Sequence, residues 1–179
     1  MEQTNASWSK TALTYGIYLG LISILYSVIL YVAGQIGNQA LGYVSYIFII
    51  GIIIWAMITY RDKLNGGYMS YGTGVGLGFM TALVGGILGS IFAYVLFAII
   101  DPSLPEQLLG KALEEAIAKN PEVEQNLDMV EGMMRKMMSP TAIAIMGVVS
   151  SAIGGIIISL ILAAIFKKDK PMFEEAQAE

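Results

Sequence analysis

The sequence contains no cysteine and no histidine. These absences exclude disulfide bonds, thiolate nucleophiles, thiolate metal sites and imidazole catalysis. Charge is scarce as well, because only 13% of the residues are charged, whereas a soluble domain carries about a quarter. The mean hydropathy of +0.67 is correspondingly high. The composition is therefore that of a membrane protein rather than a soluble one.

Four segments contain no Asp, Glu, Lys or Arg, and they cover 11–33, 41–60, 72–100 and 141–166. Each is long enough to cross a hydrocarbon core of about 30 Å, which takes roughly 20 helical residues. The segments are continuously apolar rather than alternating, which favours helices over the strands of a barrel. We therefore predict an all-α membrane protein with four transmembrane helices, in which 1–179 form a single membrane domain.

The third and fourth spans each carry a row of small residues with a spacing of four. The row in the third span is Gly74, Gly78, Ala82, Gly86 and Ser90, and the row in the fourth is Gly147, Ser151, Gly155, Ser159 and Ala163. Residues four apart share a helix face, and small residues there allow two backbones to approach closely. We predict that the two rows face each other; the alternative is that glycine is simply frequent in membrane helices.

Other small residues lie on a neighbouring row of the third span (Gly85, Gly89, Ala93) and on the first span (Gly16, Gly20, Ser23, Ser27). The second span lacks such a face. We expect it to contact lipid more than the other spans do, and we expect Ile53 to be among its lipid-facing residues.

The segment 101–139 is the only sizeable polar region. Ser103 and Glu106 form a capping-box pattern with Pro105 in the first turn, and Asn120-Pro121 indicates a second helix start. Asp101 is expected to end the third span and to cap the following segment. The prediction is an extracytoplasmic helical hairpin between the third and fourth spans.

The distribution of Lys and Arg predicts the orientation. Arg61, Lys63, Lys167 and Lys168 are predicted topology anchors, because a four-span arrangement places all of them, with Lys10 and Lys170, on one side. The long loop on the other side carries many more acids than bases. The positive-inside rule then puts both termini in the cytoplasm of a multi-pass protein in the bacterial inner membrane.

No motif points to catalysis or to a cofactor. The glycine run 71–79 lacks the pattern of a phosphate loop, since Leu77 and Phe79 stand where a glycine is required and no Lys-Ser/Thr pair follows. The methionines of 129–138 could ligate copper(I), but packing or membrane contact explains them better. The acids at 114–115 and 122–124 fit solvated helix ends better than a cation site. We predict no catalytic, cofactor-binding or metal-binding residue.

The order and spacing of several short motifs resemble the DUF4199 family of uncharacterised membrane proteins from Bacteroidetes. The motifs are Tyr60-Arg61 with Gly66-Gly67-Tyr68-Met69-Ser70-Tyr71, Ile100-Asp101-Pro102, and the end from Ile156 to Lys168. The resemblance covers nearly the whole chain and implies a bacterial inner-membrane protein. It implies no activity.

Two function classes follow. The first is a non-catalytic scaffold or accessory subunit of the cell envelope, and the alternative is a small carrier or flippase for a lipid-linked or amphipathic solute. The spans lack an ionisable side chain, which lowers the odds of a proton- or ion-coupled carrier, and no nucleophile–base pair is visible for an enzyme. The expected partners are membrane lipid and either a second copy of the chain or another envelope membrane protein, with no nucleic acid.

Overall fold

The computed structural model describes residues 7–170, apart from the side chains of Glu122 and Gln125. The described part is helical, and its only β-type pairing is one antiparallel bridge between Met69 and Lys168. The α-helices in chain order are α1 (Trp8–Val32), α2 (Gln39–Thr59), α3 (Tyr71–Val95), α4 (Leu104–Lys119), α5 (Leu127–Met137) and α6 (Pro140–Phe166). A π-helical segment extends α2 through Tyr60–Leu64 and another extends α3 through Leu96–Ile100.

Four of these helices are long and apolar enough to cross a membrane. They are Trp8–Val32, Gln39–Leu64, Tyr71–Ile100 and Pro140–Phe166. This confirms the predicted all-α fold with four membrane-spanning helices and two further helices between the third and fourth. The second span is longer than the predicted 41–60, because its helix continues past the charged Arg61 as a π-helical segment.

Local chemistry explains where the helices begin and turn. The Asn38 side chain caps α2, because its Oδ1 accepts hydrogen bonds from the backbone N–H groups of Ala40 and Leu41, at 3.0 and 3.4 Å. The turn before it contains Gly34 and Gly37 at φ +66° and +87°, a conformation that favours glycine. Ser70 caps α3, since its Oγ accepts from the Thr73 N–H at 3.3 Å.

The predicted capping box at the start of α4 is wrong. Ser103 has helical backbone angles and its side chain makes no cap hydrogen bond. The Asp101 side chain closes the turn before the helix, because its Oδ1 accepts from the Ser103 N–H at 3.1 Å and from the Ser103 hydroxyl at 2.5 Å. The Ser103 hydroxyl donates to Asp101 and its oxygen accepts from Gln107 Nε2 at 3.0 Å, so both side-chain bonds go to groups other than the helix N–H groups. Asp101 ends the third span as expected, whereas capping of α4 by its side chain stays a prediction.

The chain forms two compact units, Met1–Leu88 with Ser150–Glu179, and Gly89–Val149. The predicted single domain also includes 1–6 and 171–179, which lie outside the described residues. The core of the first unit is built from buried side chains of all four long helices, including Leu19, Ile53, Met57, Leu77 and Leu162. The single-domain organisation stays a prediction.

The expectation for the second span was wrong. Ile53 is 0% exposed, and its Cγ2 would lie 3.0 Å from a Cβ built on Gly78. In each span, 22% of the residues in an apolar 18-residue window are buried. The second span is therefore no more exposed than the others. A bulky residue such as Ile53 packs well where the partner helix offers a glycine, so small residues on α2 itself are not needed.

The second unit contains the hairpin. Leu104 and Leu109 are its buried residues on α4, whereas α5 buries none. The predicted second helix does not start directly at Pro121, because 3₁₀ turns occupy Pro121–Asn126 before α5 begins at Leu127. An ion-pair cluster links the two helices: Arg135 bonds Glu106 on α4 and, at 2.9 Å, Glu131 on α5.

Replacing Leu113 with Pro should disrupt the hairpin, because proline inside α4 removes a backbone hydrogen bond and destabilises a helix by about 3 kcal/mol. Amide hydrogen exchange of the purified protein should accelerate across 104–137. Leu113→Met is the control and should leave the exchange unchanged. Fast exchange throughout this segment in the unaltered protein would contradict an ordered hairpin.

Candidate functional site

The rows of small residues on α3 and α6 meet in the first unit. A Cβ built on Gly155 would lie 2.5 Å from the Cβ of Ala82, and one built on Gly78 would lie 2.9 Å from the Cβ of Ser159. Real Cβ atoms essentially never approach a heavy atom within 3.0 Å. Neither glycine can therefore be enlarged unless the two backbones move apart.

Two further pairs of the first unit continue this pattern. A Cβ on Gly74 would lie 3.0 Å from the Cβ of Ala163, and a Cβ on Gly86 would overlap the side chain of Ser151. In the second unit, a Cβ on Gly147 would lie 2.6 Å from the Oγ of Ser90. The structure thus places each of the ten predicted packing residues opposite a member of the other row. We call these contacts the α3–α6 seam.

The buried hydroxyls beside this seam bond to their own helices. Ser159 Oγ donates to the Gly155 carbonyl at 2.6 Å, and Thr81 Oγ1 donates to the Leu77 carbonyl at 2.8 Å. Throughout residues 7–170, every described side-chain N or O atom that is buried has a hydrogen-bond partner. The seam therefore presents no unpaired polar group to which a ligand could bind.

Sequence reasoning missed a second seam, between α1 and α3. Cβ atoms on Gly16 and Gly20 would lie 2.6 and 2.7 Å from the Cβ atoms of Val84 and Leu88. In the opposite direction, a Cβ on Gly85 would lie 2.7 Å from Leu19 side-chain atoms. The signal was present in the small residues of both helices. It was missed because each glycine here meets a bulky residue rather than another small one.

Tyrosines of α1 form packing contacts and hydrogen bonds with α2. Tyr15 donates a hydrogen bond to Thr59 Oγ1 at 2.9 Å, and its ring lies edge-on to Tyr18 and Trp55, at 5.7 and 5.2 Å between centroids. Tyr26 donates to the Leu41 carbonyl at 2.8 Å. These hydroxyls and rings connect α1 to α2.

The predicted topology anchors lie at one end of the first unit. Arg61 pairs with the neighbouring Asp62 at 2.6 Å and donates through Nη1 to the carbonyl of Phe166 at 3.1 Å, so it joins the end of the second span to the end of α6. Lys167 Nζ lies 3.9 Å from Asp169, and Lys63 and Lys168 are exposed.

The same end contains a small cavity between the loop before α3 and the residues after α6. The backbones of Met69 and Lys168 exchange two hydrogen bonds of 2.8 Å, and Lys168 Nζ lies 5.7 Å from the centre of the Tyr68 ring. The cavity has a volume of about 340 Å³ and is lined by Asn65, Tyr68, Met69, Ser70, Thr73 and 168–170. We call it the basic cavity, after Lys168 and Lys170.

The candidate residues of the second unit are the methionines of α5 and the ion-pair cluster around Arg135. Met129, Met133 and Met137 are exposed along one face of α5. The hydrogen bond to Glu131 raises the pKa of Arg135 above its usual value, and the charge of Glu106 adds to the effect. Among the described residues, no group of three or more Asp or Glu is arranged to hold a metal ion.

Comparison with protein families matches most of the chain. The family model described as "Protein of unknown function (DUF4199)" matches residues 14–168, which include both small-residue rows and all four predicted topology anchors. The comparison with curated proteins found no match, and neither did the comparison with solved structures.

The α3–α6 seam makes Gly155 and its neighbour Gly154 a matched pair. Gly155→Ala should lower the thermal midpoint of the purified protein, because overpacking of this kind destabilises by about 1–3 kcal/mol. Gly154→Ala should leave the midpoint unchanged or raise it, because a Cβ there meets no heavy atom within 4 Å.

The same comparison on α3 uses Gly86→Ala against Gly89→Ala, since a Cβ at Gly89 is also free of contacts within 4 Å. Equal midpoints for the two variants of either pair would contradict close backbone packing at the seam.

Proposed function

The chain belongs to the DUF4199 family of proteins of unknown function, and we propose that it acts as a non-catalytic scaffold or accessory subunit of the bacterial cell envelope. It is an integral membrane protein by the length and composition of its four long helices. The scaffold role, the inner-membrane location and the cytoplasmic termini are proposals.

The α3–α6 seam is the observation that carries the scaffold role. A carrier exposes its binding site by moving helices apart around a polar cavity near the middle of the membrane. Here the middle of α3 contacts α6 at Gly78 and Ala82, with no room for an added Cβ at Gly78. The hydroxyls nearby are bonded within their helices, and the spans contain no charged side chain between 72 and 100 or between 141 and 166. A tightly packed, uncharged bundle suits a structural role.

The charged residues at the helix ends support the orientation. The end of the first unit that contains Arg61, Lys63, Lys167 and Lys168 also contains the start of α1 near Lys10. Basic residues at the ends of spans are retained in the cytoplasm. We therefore propose that this end faces the cytoplasm and that α4 and α5 lie outside.

Single cysteines should report this orientation, and the native chain provides a clean background because it contains none. In intact cells, a membrane-impermeant maleimide should label Gln39→Cys and Asp128→Cys. It should label Leu64→Cys and Lys170→Cys only after the cells are opened. Labelling of Leu64→Cys in intact cells would reverse the proposed topology.

A reversible lock across the α3–α6 seam should distinguish a scaffold from a carrier. The variant Gly74→Cys with Ala163→Cys places two Cβ positions about 3.0 Å apart, so the two helix ends must separate by roughly 0.5–1 Å to reach the Cβ–Cβ distance of about 3.5–4.5 Å found in disulfides. We expect the oxidised variant to complement a deletion strain as well as the reduced variant does. It should also co-purify with an integral membrane partner at the same fixed ratio in both states.

Loss of complementation on oxidation, with recovery on reduction, would overturn the scaffold proposal, because helix separation would then be part of the function. Purification as the chain alone, without a partner at fixed stoichiometry or a second copy, would count against it as well. Gly74→Cys alone serves as the control for the effect of oxidant.

A further inference from the structure

We propose that the basic cavity binds the phosphate headgroup of an anionic phospholipid. The cavity is lined by Lys168, Asp169 and Lys170 after α6 and by Asn65, Tyr68, Met69, Ser70 and Thr73 in and after the loop before α3. Its volume of about 340 Å³ accommodates a phosphate with its glycerol neighbour.

The cations at this end exceed the local acids. Within the part of the chain that the structure describes, Asp62 is paired with Arg61 and Asp169 with Lys167. Lys63, Lys168 and Lys170 have no ion-pair partner among the described residues. Asp62 is near enough to interact electrostatically with Lys168, but its oxygens are bonded to Arg61. The unpaired positive charge would be stabilised by an anion.

The backbone holds one of these cations in place. Lys168 is tied to Met69 by two backbone hydrogen bonds, and its ammonium group lies over the Tyr68 ring. Tyr68 is positioned in turn by Asn65, whose Nδ2 donates to its carbonyl at 2.7 Å. The bridge and the ring contact thus place the Lys168 ammonium group beside the cavity.

The surroundings favour a lipid over a soluble anion. The cavity lies between the last residues of α6 and the first residues of α3, at the level where headgroups meet the spans. One and two turns back along α6, Ile165 and Ile161 are 67% and 59% exposed. An acyl chain attached to a headgroup in the cavity could lie along these two side chains, which links the cavity to the lipid-facing surface of α6.

The test is a lipid titration of the full-length protein in detergent, followed by native mass spectrometry with phosphatidylglycerol and phosphatidylcholine. We expect one phosphatidylglycerol to bind more tightly than phosphatidylcholine. Lys168→Gln with Lys170→Gln should weaken phosphatidylglycerol on the order of tenfold to thirtyfold, from the usual contribution of each basic residue near anionic lipid. Lys168→Arg with Lys170→Arg should retain it.

The matched control is Lys111→Gln with Lys136→Gln, which removes the same charge from the second unit, where both lysines are without an ion pair among the described residues. If this control weakens binding as much, the attraction is a diffuse charge effect and the site is wrong. Equal binding of both lipids would overturn the proposal, as would unchanged binding by the Gln pair. If an equal concentration of inorganic phosphate displaces the lipid, the lipid proposal is overturned and the cavity is a site for a soluble anion.

Folding of each variant is checked from its thermal midpoint. If the Gln pair is unstable, the unaltered protein and the Arg pair decide the question, because headgroup binding through lysines must weaken as the salt concentration rises. Salt-independent binding would overturn the proposal.

Discussion

The close approach of the α3 and α6 backbones is the constraint on which the first unit depends. Apolar side chains gain little from leaving lipid for the protein interior, so helices associate in a membrane through short contacts and hydrogen bonds. Glycine and serine provide those contacts at Gly86 and Ser151 and again at Gly78 and Ser159. Any enlargement at these positions removes the contact itself, because the atoms of the partner already occupy the space.

Gly78 shows how this constraint extends beyond two helices. An added Cβ there would meet both Ser159 on α6 and Ile53 on α2. The absence of a side chain at Gly78 therefore leaves space for the bulky Ile53 of α2 as well as for the small Ser159 of α6. The same exchange of size occurs where Leu19 of α1 fills the space beside Gly85. Helix α3 consequently contacts α1, α2 and α6 through glycines.

The sequence was sufficient to predict the span-forming helices and the pairing of the two rows, because both depend on regular spacing within one helix. It was insufficient for Ile53 and for the α1–α3 seam, since a contact between a glycine and a bulky residue leaves no matching pattern on the second helix. The cap on α4 failed for a different reason: Ser103 matches the capping pattern, but Asp101, two residues earlier, binds the Ser103 N–H and hydroxyl. Which side chain binds a given N–H depends on the backbone angles of the turn, which the sequence pattern does not specify.

The basic cavity escaped prediction because its parts are far apart in the chain, although each was visible as a charged or aromatic residue. Their meeting follows from the seam. Gly74 packs on Ala163 near the start of α3 and the end of α6, and this contact brings the preceding Met69 and the following Lys168 within backbone hydrogen-bonding distance. The bridge then directs Lys168 over Tyr68. A row of residues selected for small size in the apolar part of the helices thus determines where a cation lies at their charged end.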